Sequence, residues 1–176
     1  MTEKEDLDLA LFSRVLYPRH VVLVTCISKD GKANIIPLSF SMPVSYKPPI
    51  VTISVGVEKY SHKLLHETKE FVINVPTADL SEVTWFCGTV SGRDHDKFKE
   101  AKLTPLPAKK VKAPIIRECI AHLECKVVKE ITIGDHTLFL GKVVAAYVNK
   151  NSFNHKEGFI NFKRIKPLLA PIKKPR

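Results

Sequence analysis

The segment from Cys119 to Val148 constrains the fold more than any other, because it holds a long run of alternating polarity and, beyond a turn, a second long strand-like run. Cys119, Ala121, Leu123, Cys125 and Val127 fall on one side of an extended chain, and His122, Glu124 and Lys126 fall on the other. Successive strand side chains point to opposite faces, and a 3.6-residue helical period would mix the two sets. Gly134-Asp135-His136 then turns the chain into Thr137 to Val148, a second long run with β-branched and aromatic residues. The stretch therefore reads as two antiparallel strands, one face in a core and the other toward water.

Upstream, His20 to Ser28 is rich in β-branched residues, and Lys29-Asp30-Gly31-Lys32 supplies an Asp-Gly hairpin turn into the next strand at Ala33. Ile50 to Gly56 and Glu70 to Val75, the latter closed by Pro76, complete a set of six strands. Short helices are expected between them. Leu7, Leu9, Leu11, Phe12, Val15 and Leu16 form a stripe over 5–16 that ends at Tyr17-Pro18 and is read as a helix laid against the body. Tyr60 to Glu67 reads as a second helix with Ser61 as its candidate N-cap, and Ala78 to Phe86 as a third. Residues 103–117, with prolines at 105, 107 and 114, read as an extended surface crossing. Strands with interspersed short helices describe a mainly β chain, a small antiparallel barrel with helical insertions. The 176 residues are expected to form a single domain, 1–176, with a basic tail from 153 onward packed over the barrel or a neighbouring subunit.

No apolar run approaches the roughly 18 residues of a membrane span, and the first residues are charged where a secretory signal needs an apolar core. The expectation is a soluble cytoplasmic protein. Cys26, Cys87, Cys119 and Cys125 show no metal or redox spacing, the histidines are dispersed, and no metal site is expected. The net charge of +10 concentrates in Lys97 to Arg117 and in the tail. It admits a nucleic-acid reading, but neither segment carries interleaved aromatics or a recognised binding motif. A solvated basic face that steers anionic ligands accounts for the charge equally well.

Three stretches carry candidate chemistry. Ala33 to Ser45 begins as a strand and becomes a loop punctuated by Ser and Pro, read either as a ligand edge or as an ordinary connection. The start of the Tyr60 helix, with Ser61 and Lys63, is either a phosphate site or a plain capped helix. Cys87 to Phe98 places small hydroxyl residues between Gly88 and Gly92, which either lie close against a ligand or connect helices. The chain has no Ser-His-Asp order, no paired-carboxylate motif and no Gly-x-Gly-x-x-Gly fingerprint.

Several patches, in order, resemble the flavin reductase-like family, which includes flavoredoxins and archaeal ferric reductases. They are Tyr17-Pro-Arg19, Asp30-Gly-Lys-Ala-Asn34, Pro37-x-Ser39-Phe40 with Pro43-x-Ser45 and Pro48-Pro49, and Ser54-Val-Gly56 with Ser61-His-Lys63. Phe71 to Pro76, Phe86-Cys-Gly88, Ser91-Gly-Arg-Asp94, Asp96-Lys-Phe98, Leu123-Glu-Cys125 and Gly134 to Phe139 continue the series.

The resemblance implies a homodimer of six-stranded antiparallel Greek-key split barrels, each binding one FMN near the dimer interface. It implies that Asn34, Ile36, Pro37, Leu38, Ser39, Phe40 and Ser41 line the ring and ribityl chain, with Ser54, Val55 and Gly56 beside them. Ser61, His62 and Lys63 would hold the phosphate, Cys87, Gly88, Ser91 and Arg93 would close the groove, and His136 would contact a nicotinamide. The implied activity is an NAD(P)H-dependent flavin or ferric reductase that passes electrons to a small-molecule acceptor or a partner protein. A flavoredoxin-like electron carrier that uses no nicotinamide is the near alternative, and a basic nucleic-acid-binding barrel is the alternative of another class.

Overall fold

The computed structural model describes residues 4–172; residues 173–176, the end of the basic tail, and 1–3 lie outside it. Seven strands form one antiparallel sheet: β1 (Val22–Ile27), β2 (Ala33–Leu38), β3 (Ser41–Ser45), β4 (Ile50–Gly56), β5 (Glu70–Val75), β6 (Ala121–Ile133) and β7 (His136–Val148). Their order across the sheet is β2-β1-β5-β6-β7-β4-β3. The two edge strands, β2 and β3, are consecutive in the chain and separated only by Ser39 and Phe40. Three Cα steps reach no more than about 11 Å, so the sheet must roll until its edges meet. A backbone hydrogen bond from Ser54 N–H to the Phe40 carbonyl, 2.9 Å, ties the connection to β4. The result is a barrel with a split seam.

The seventh strand corrects the count of six. Ser41–Ser45, read from its Ser and Pro content as loop, pairs with β4 from Ser41 opposite Ile53 to Ser45 opposite Ile50. It is an edge strand, where a proline such as Pro43 costs the sheet little.

The hairpins follow the turn chemistry. Gly31 at φ 83° turns β1 into β2, and Gly134 at φ 59° turns β6 into β7, a backbone region glycine enters without a Cβ clash. The barrel interior is filled by Val22, Val24 and Cys26 of β1, Val51, Ile53 and Val55 of β4, Phe71, Ile73, Cys125 and Phe139. Helix α1 (Tyr60–Thr68) adds Leu64 and Leu65 to that cluster and packs against β1, β2 and β4. Leu23 and Ile35 face the opposite way, into a second cluster with Cys87 of helix α2 (Ser81–Thr89), Phe98 of the short helix α3 (Lys97–Glu100) and Cys119. Burial on both faces explains why β1 reads as a continuous apolar run.

Three further expectations are revised. The N-terminal stripe forms a 3-10 helix, Leu9–Leu16, capped by the Asp8 carboxylate, but none of its residues is buried and Leu9, Phe12, Val15 and Leu16 face solvent. The N-cap of α1 is Lys59, not Ser61, which lies buried inside the first turn. The expected wet face of β6 is dry at His122 and Glu124, because residues 103–117 fold over it rather than crossing open surface. Glu124 accepts from the backbone N–H groups of Lys109 (2.7 Å) and Lys110 (2.5 Å) and from the Tyr147 hydroxyl (2.9 Å). Asn74 does the same work beside it, its carbonyl oxygen accepting from Ile116 N–H (2.9 Å) and pairing with His122 Nδ1 (2.8 Å). The tail returns to the barrel: Leu168 and Ala170 pack on Val21, and Leu169–Ala170 pairs with Arg19–His20.

Candidate active site

The split seam opens a cavity of about 520 Å³. One wall is β2 and its exit, from Asn34 through Phe40; another is the end of β4, Ser54 and Gly56. The start of α1, with Lys59, Tyr60 and Ser61, faces the end of α2 and the following loop, Cys87 through Arg93. Glu58, Lys97 and His136 complete the lining.

Of the residues singled out in the sequence, Asn34, Ile36, Pro37, Leu38, Ser39, Phe40, Ser54, Gly56, Ser61, Cys87, Gly88, Ser91, Arg93 and His136 line this one cavity. Ser41, Val55, His62 and Lys63 do not. Val55 points into the barrel core because it alternates with Ser54 and Gly56. Ser41 has already entered β3. His62 turns to the sheet, its Nε2 2.8 Å from Thr137 Oγ1 and its ring edge-on to Phe139, and burial lowers its pKa. Lys63 projects into solvent and pairs with Glu67 one turn on, at 3.8 Å. Cys87 and Gly88 belong to the last turn of α2 rather than to a loop.

The two ends of the cavity differ in chemistry. At one end the first turn of α1, without a side-chain cap, meets Lys59, Arg93 and Lys97, with the Glu58 carboxylate 3.1 Å from Lys59 Nζ. Uncapped N–H groups and the helix dipole favour an anion there, and the cations add to it. Arg93 is positioned by donating to the Glu58 carbonyl, 3.2 Å, with its guanidinium 5.6 Å above the Tyr60 ring. At the other end Phe40 is approached by His136, ring centroids 6.0 Å apart, and by the Arg19 guanidinium at 4.6 Å. His136 opens β7 directly opposite Gly56, and its Nδ1 is 2.7 Å from Asp135 Oδ1. That hydrogen bond holds the Asp135 carboxyl below its ordinary range.

Between the ends, Asn34 Nδ2 donates to Ser61 Oγ at 2.8 Å, while Asn34 Oδ1 is buried with no partner. Gly92 lies so close that a Cβ built on it would stand 2.0 Å from Asn34 Oδ1. Sequence reasoning missed Gly92 as a wall and placed Lys97 in a surface basic run, yet Lys97 is buried against the cavity. Only its neighbour Phe98, an apolar residue behind the Asp96 N-cap, hinted that this helix turns inward. Among the described residues no cluster of three or more metal-ligating side chains occurs, and no helix is long and apolar enough to cross a membrane.

The family model described as the flavin reductase like domain matches residues 12–169. The chain belongs to the flavin reductase-like family. A relative from Archaeoglobus fulgidus is 38% identical over 148 residues, 84% of this chain and 82% of its own. The solved flavoredoxin from Methanosarcina acetivorans superposes with a TM-score of 0.84 at 29% identity, covering 97% of this chain and 88% of that one. The NADH:FAD oxidoreductase of Streptomyces globisporus C-1027 superposes at 0.77 with 24% identity, covering 95% and 92%, which shows a shared fold. This flavin reductase-like chain is thus a split-barrel oxidoreductase of flavin chemistry.

Proposed function

We propose that this flavin reductase-like protein binds FMN in the seam cavity, takes hydride from NAD(P)H and passes electrons to a small-molecule acceptor or a redox partner protein. The observation that carries the reading is the cavity's polarity, cationic on balance at the α1 end, where Lys59, Arg93 and Lys97 outnumber Glu58, and aromatic with an imidazole at the Phe40 and His136 end. A flavin mononucleotide has the same polarity, a phosphate at one end and an aromatic ring at the other. The residues present fit it: Asn34 Oδ1 is an unused acceptor for a hydroxyl or N–H donor, and Ser39, Ser54 and Ser91 bring hydroxyls to the lining. Bound FMN supplies the two-electron acceptor, so the chain needs no proton-shuttling dyad of its own.

The protein's part is positioning. Lys59, Arg93 and the first turn of α1 hold the phosphate end, Pro37, Leu38 and Phe40 exclude water from the ring end, and His136 stands where a nicotinamide would enter. The reading includes a homodimer, for which the exposed Phe12, Leu16, Met42 and Tyr46 offer apolar surface, and a cytoplasmic location, in keeping with four free cysteines.

Anaerobic titration of the FMN-loaded protein with NADPH, then NADH, tests the function by the flavin's visible absorbance. Rapid bleaching supports it. Bound flavin that resists both nicotinamides points instead to electron transfer from a protein donor, a second reading favoured by the match to the M. acetivorans flavoredoxin. Two substitutions test the phosphate end. Arg93→Ala is expected to weaken FMN binding by about 1 to 3 kcal/mol. Lys63→Ala, on a side chain outside the cavity, is expected to change it by less than about 0.5 kcal/mol. Quenching of FMN fluorescence measures both, and the reverse order would return the phosphate to Lys63.

A further inference from the structure

A lysine is almost never fully buried unless its charge is paired. Lys97 is 6% exposed, and among the described residues it takes part in no ion pair. Its Nζ donates instead to two backbone carbonyls, Ile35 at 2.9 Å and Cys87 at 2.6 Å. An ammonium has three N–H donors, so one has no protein acceptor. The carbonyls come from two different walls, β2 and the last turn of α2, and they fix the ammonium at the cavity lining.

The charged and titratable groups around it do not neutralise it. Cys26 of β1 and Cys87 of α2 are buried thiols, pushed up to about 12 and about 11 by that burial, and both are neutral at ordinary pH. Lys59, ahead of α1, is a second cation, and Glu58, among the described residues the one carboxylate that lines the cavity, pairs with Lys59 at 3.1 Å rather than with Lys97. Asp96 and Glu100, the acids of its own helix region, are directed to backbone N–H groups and to His95. Burial accordingly lowers the Lys97 pKa. A buried cation without a counter-charge is strongly unfavourable unless a ligand supplies one.

We propose that Lys97 is the anion-receiving group of the cavity: anchored by the Ile35 and Cys87 carbonyls, it presents its remaining N–H to the negative charge of the bound flavin nucleotide. The inference rests on the flavin reading above and adds to it the residue that meets the ligand's charge. That charge has two sources, the phosphate and the ring once it has accepted electrons. If neither reaches Lys97, the lysine is only a brace between β2 and α2.

The test compares the wild type with Lys97→Met and Lys97→Arg. FMN and riboflavin are titrated by fluorescence quenching, and the midpoint potential of bound FMN is set against reference dyes. If the phosphate is the source, Lys97→Met loses at least about tenfold more affinity for FMN than for riboflavin, and Lys97→Arg keeps most of it. If the ring is the source, oxidised FMN and riboflavin weaken alike. The potential then falls by at least about 30 mV, the equivalent of a tenfold preferential loss of the two-electron-reduced form. Equal changes in all three affinities, or none, overturn the proposal and leave the brace.

Should the methionine variant not fold, Lys97 Nζ is followed by NMR in the wild type. Its pKa rises on addition of FMN if the proposal holds, and a pKa indifferent to FMN overturns it. A wild type that binds neither flavin overturns the functional reading as well, whereas FMN binding that ignores Lys97 removes only this inference.

Discussion

Glu124→Ala is expected to lower the unfolding free energy by about 3 kcal/mol, a fall in Tm of roughly 6 to 12 °C for a chain of this length. The side chain is fully buried and accepts three hydrogen bonds, from Lys109 N–H, Lys110 N–H and the Tyr147 hydroxyl. Truncation orphans all three donors at once. The loss stops short of the full desolvation penalty because Lys109 and Lys110 sit at the surface, where water can reach freed N–H groups. The stretch around Lys109 and Lys110 would loosen from β6 before the barrel opened, since the rest of the segment stays held by Val111, Ala113 and Ile115 on Val72 and by the hydrogen bonds of Lys112 N–H to Glu70, Ile116 N–H to Asn74 and the Thr25 hydroxyl to the Pro114 carbonyl. Glu124→Gln, which keeps one acceptor oxygen, is expected to cost less.

The same carboxylate gives the fold a pH dependence. Burial raises its pKa, but the hydrogen bonds from Lys109, Lys110 and Tyr147 outweigh burial and the net direction is down. A depressed carboxyl pKa contributes stability that is complete above the unfolded value, about 4.3, and is lost as pH falls through the folded one. Wild-type stability should therefore decline below about pH 4 more steeply than that of Glu124→Gln. Thermal melts of both proteins from neutral to acid pH measure this, and parallel curves would assign the acid loss to other carboxylates.

The barrel was legible because strand alternation, β-branched runs and Asp-Gly or Gly-Asp turns are local signals. β1, β2, β4, β5, β6 and β7 all lie where alternation, β-branched content and turn residues placed strands. β3 was missed because edge strands carry Pro and Ser, which read as loop when nothing shows that a neighbour pairs on one side only. The buried polar residues were missed for a different reason. Glu124 and Lys97 are charged, and charge in an amphipathic pattern signals solvent unless a distant segment covers it. Residues 103–117 cover Glu124, while the meeting of β2 with α2 covers Lys97. Both contacts are made to backbone groups, which leave no trace in side-chain pattern.

The cavity was legible through composition, since a Ser-rich stretch near β2 and the Gly-bracketed residues 88–92 both line it. Which side chains of a segment face the cavity was not. Lys63 and His62 sit on α1 beside Ser61, and only the helix's rotation against the sheet sends Ser61 to the cavity, His62 to Thr137 and Lys63 to solvent. The same limit concealed Gly92, whose role depends on the Asn34 carboxamide arriving from β2.

Gly92→Ala is expected to reduce FMN affinity at least about tenfold while the barrel stays folded. The new Cβ would stand 2.0 Å from Asn34 Oδ1 and 2.6 Å from its Cγ, distances at which one of the two must move. Asn34 is 2% exposed and tied through Nδ2 to Ser61, so its displacement also disturbs the first turn of α1. If the loop gives way instead, Ser91 and Arg93 leave the opposite wall. Either route alters the cavity lining, whereas overpacking of this kind costs only about 1 to 3 kcal/mol of stability. Gly88→Ala is the control, because its Cβ would meet the Pro37 ring carbon at 3.1 Å, a contact relieved by a few tenths of an ångström. Fluorescence titration should rank the wild type and Gly88→Ala together and Gly92→Ala well below them. Equal affinity for FMN in Gly92→Ala would mean that the Asn34 and Gly92 wall does not face the ligand, and the proposed site would have to move.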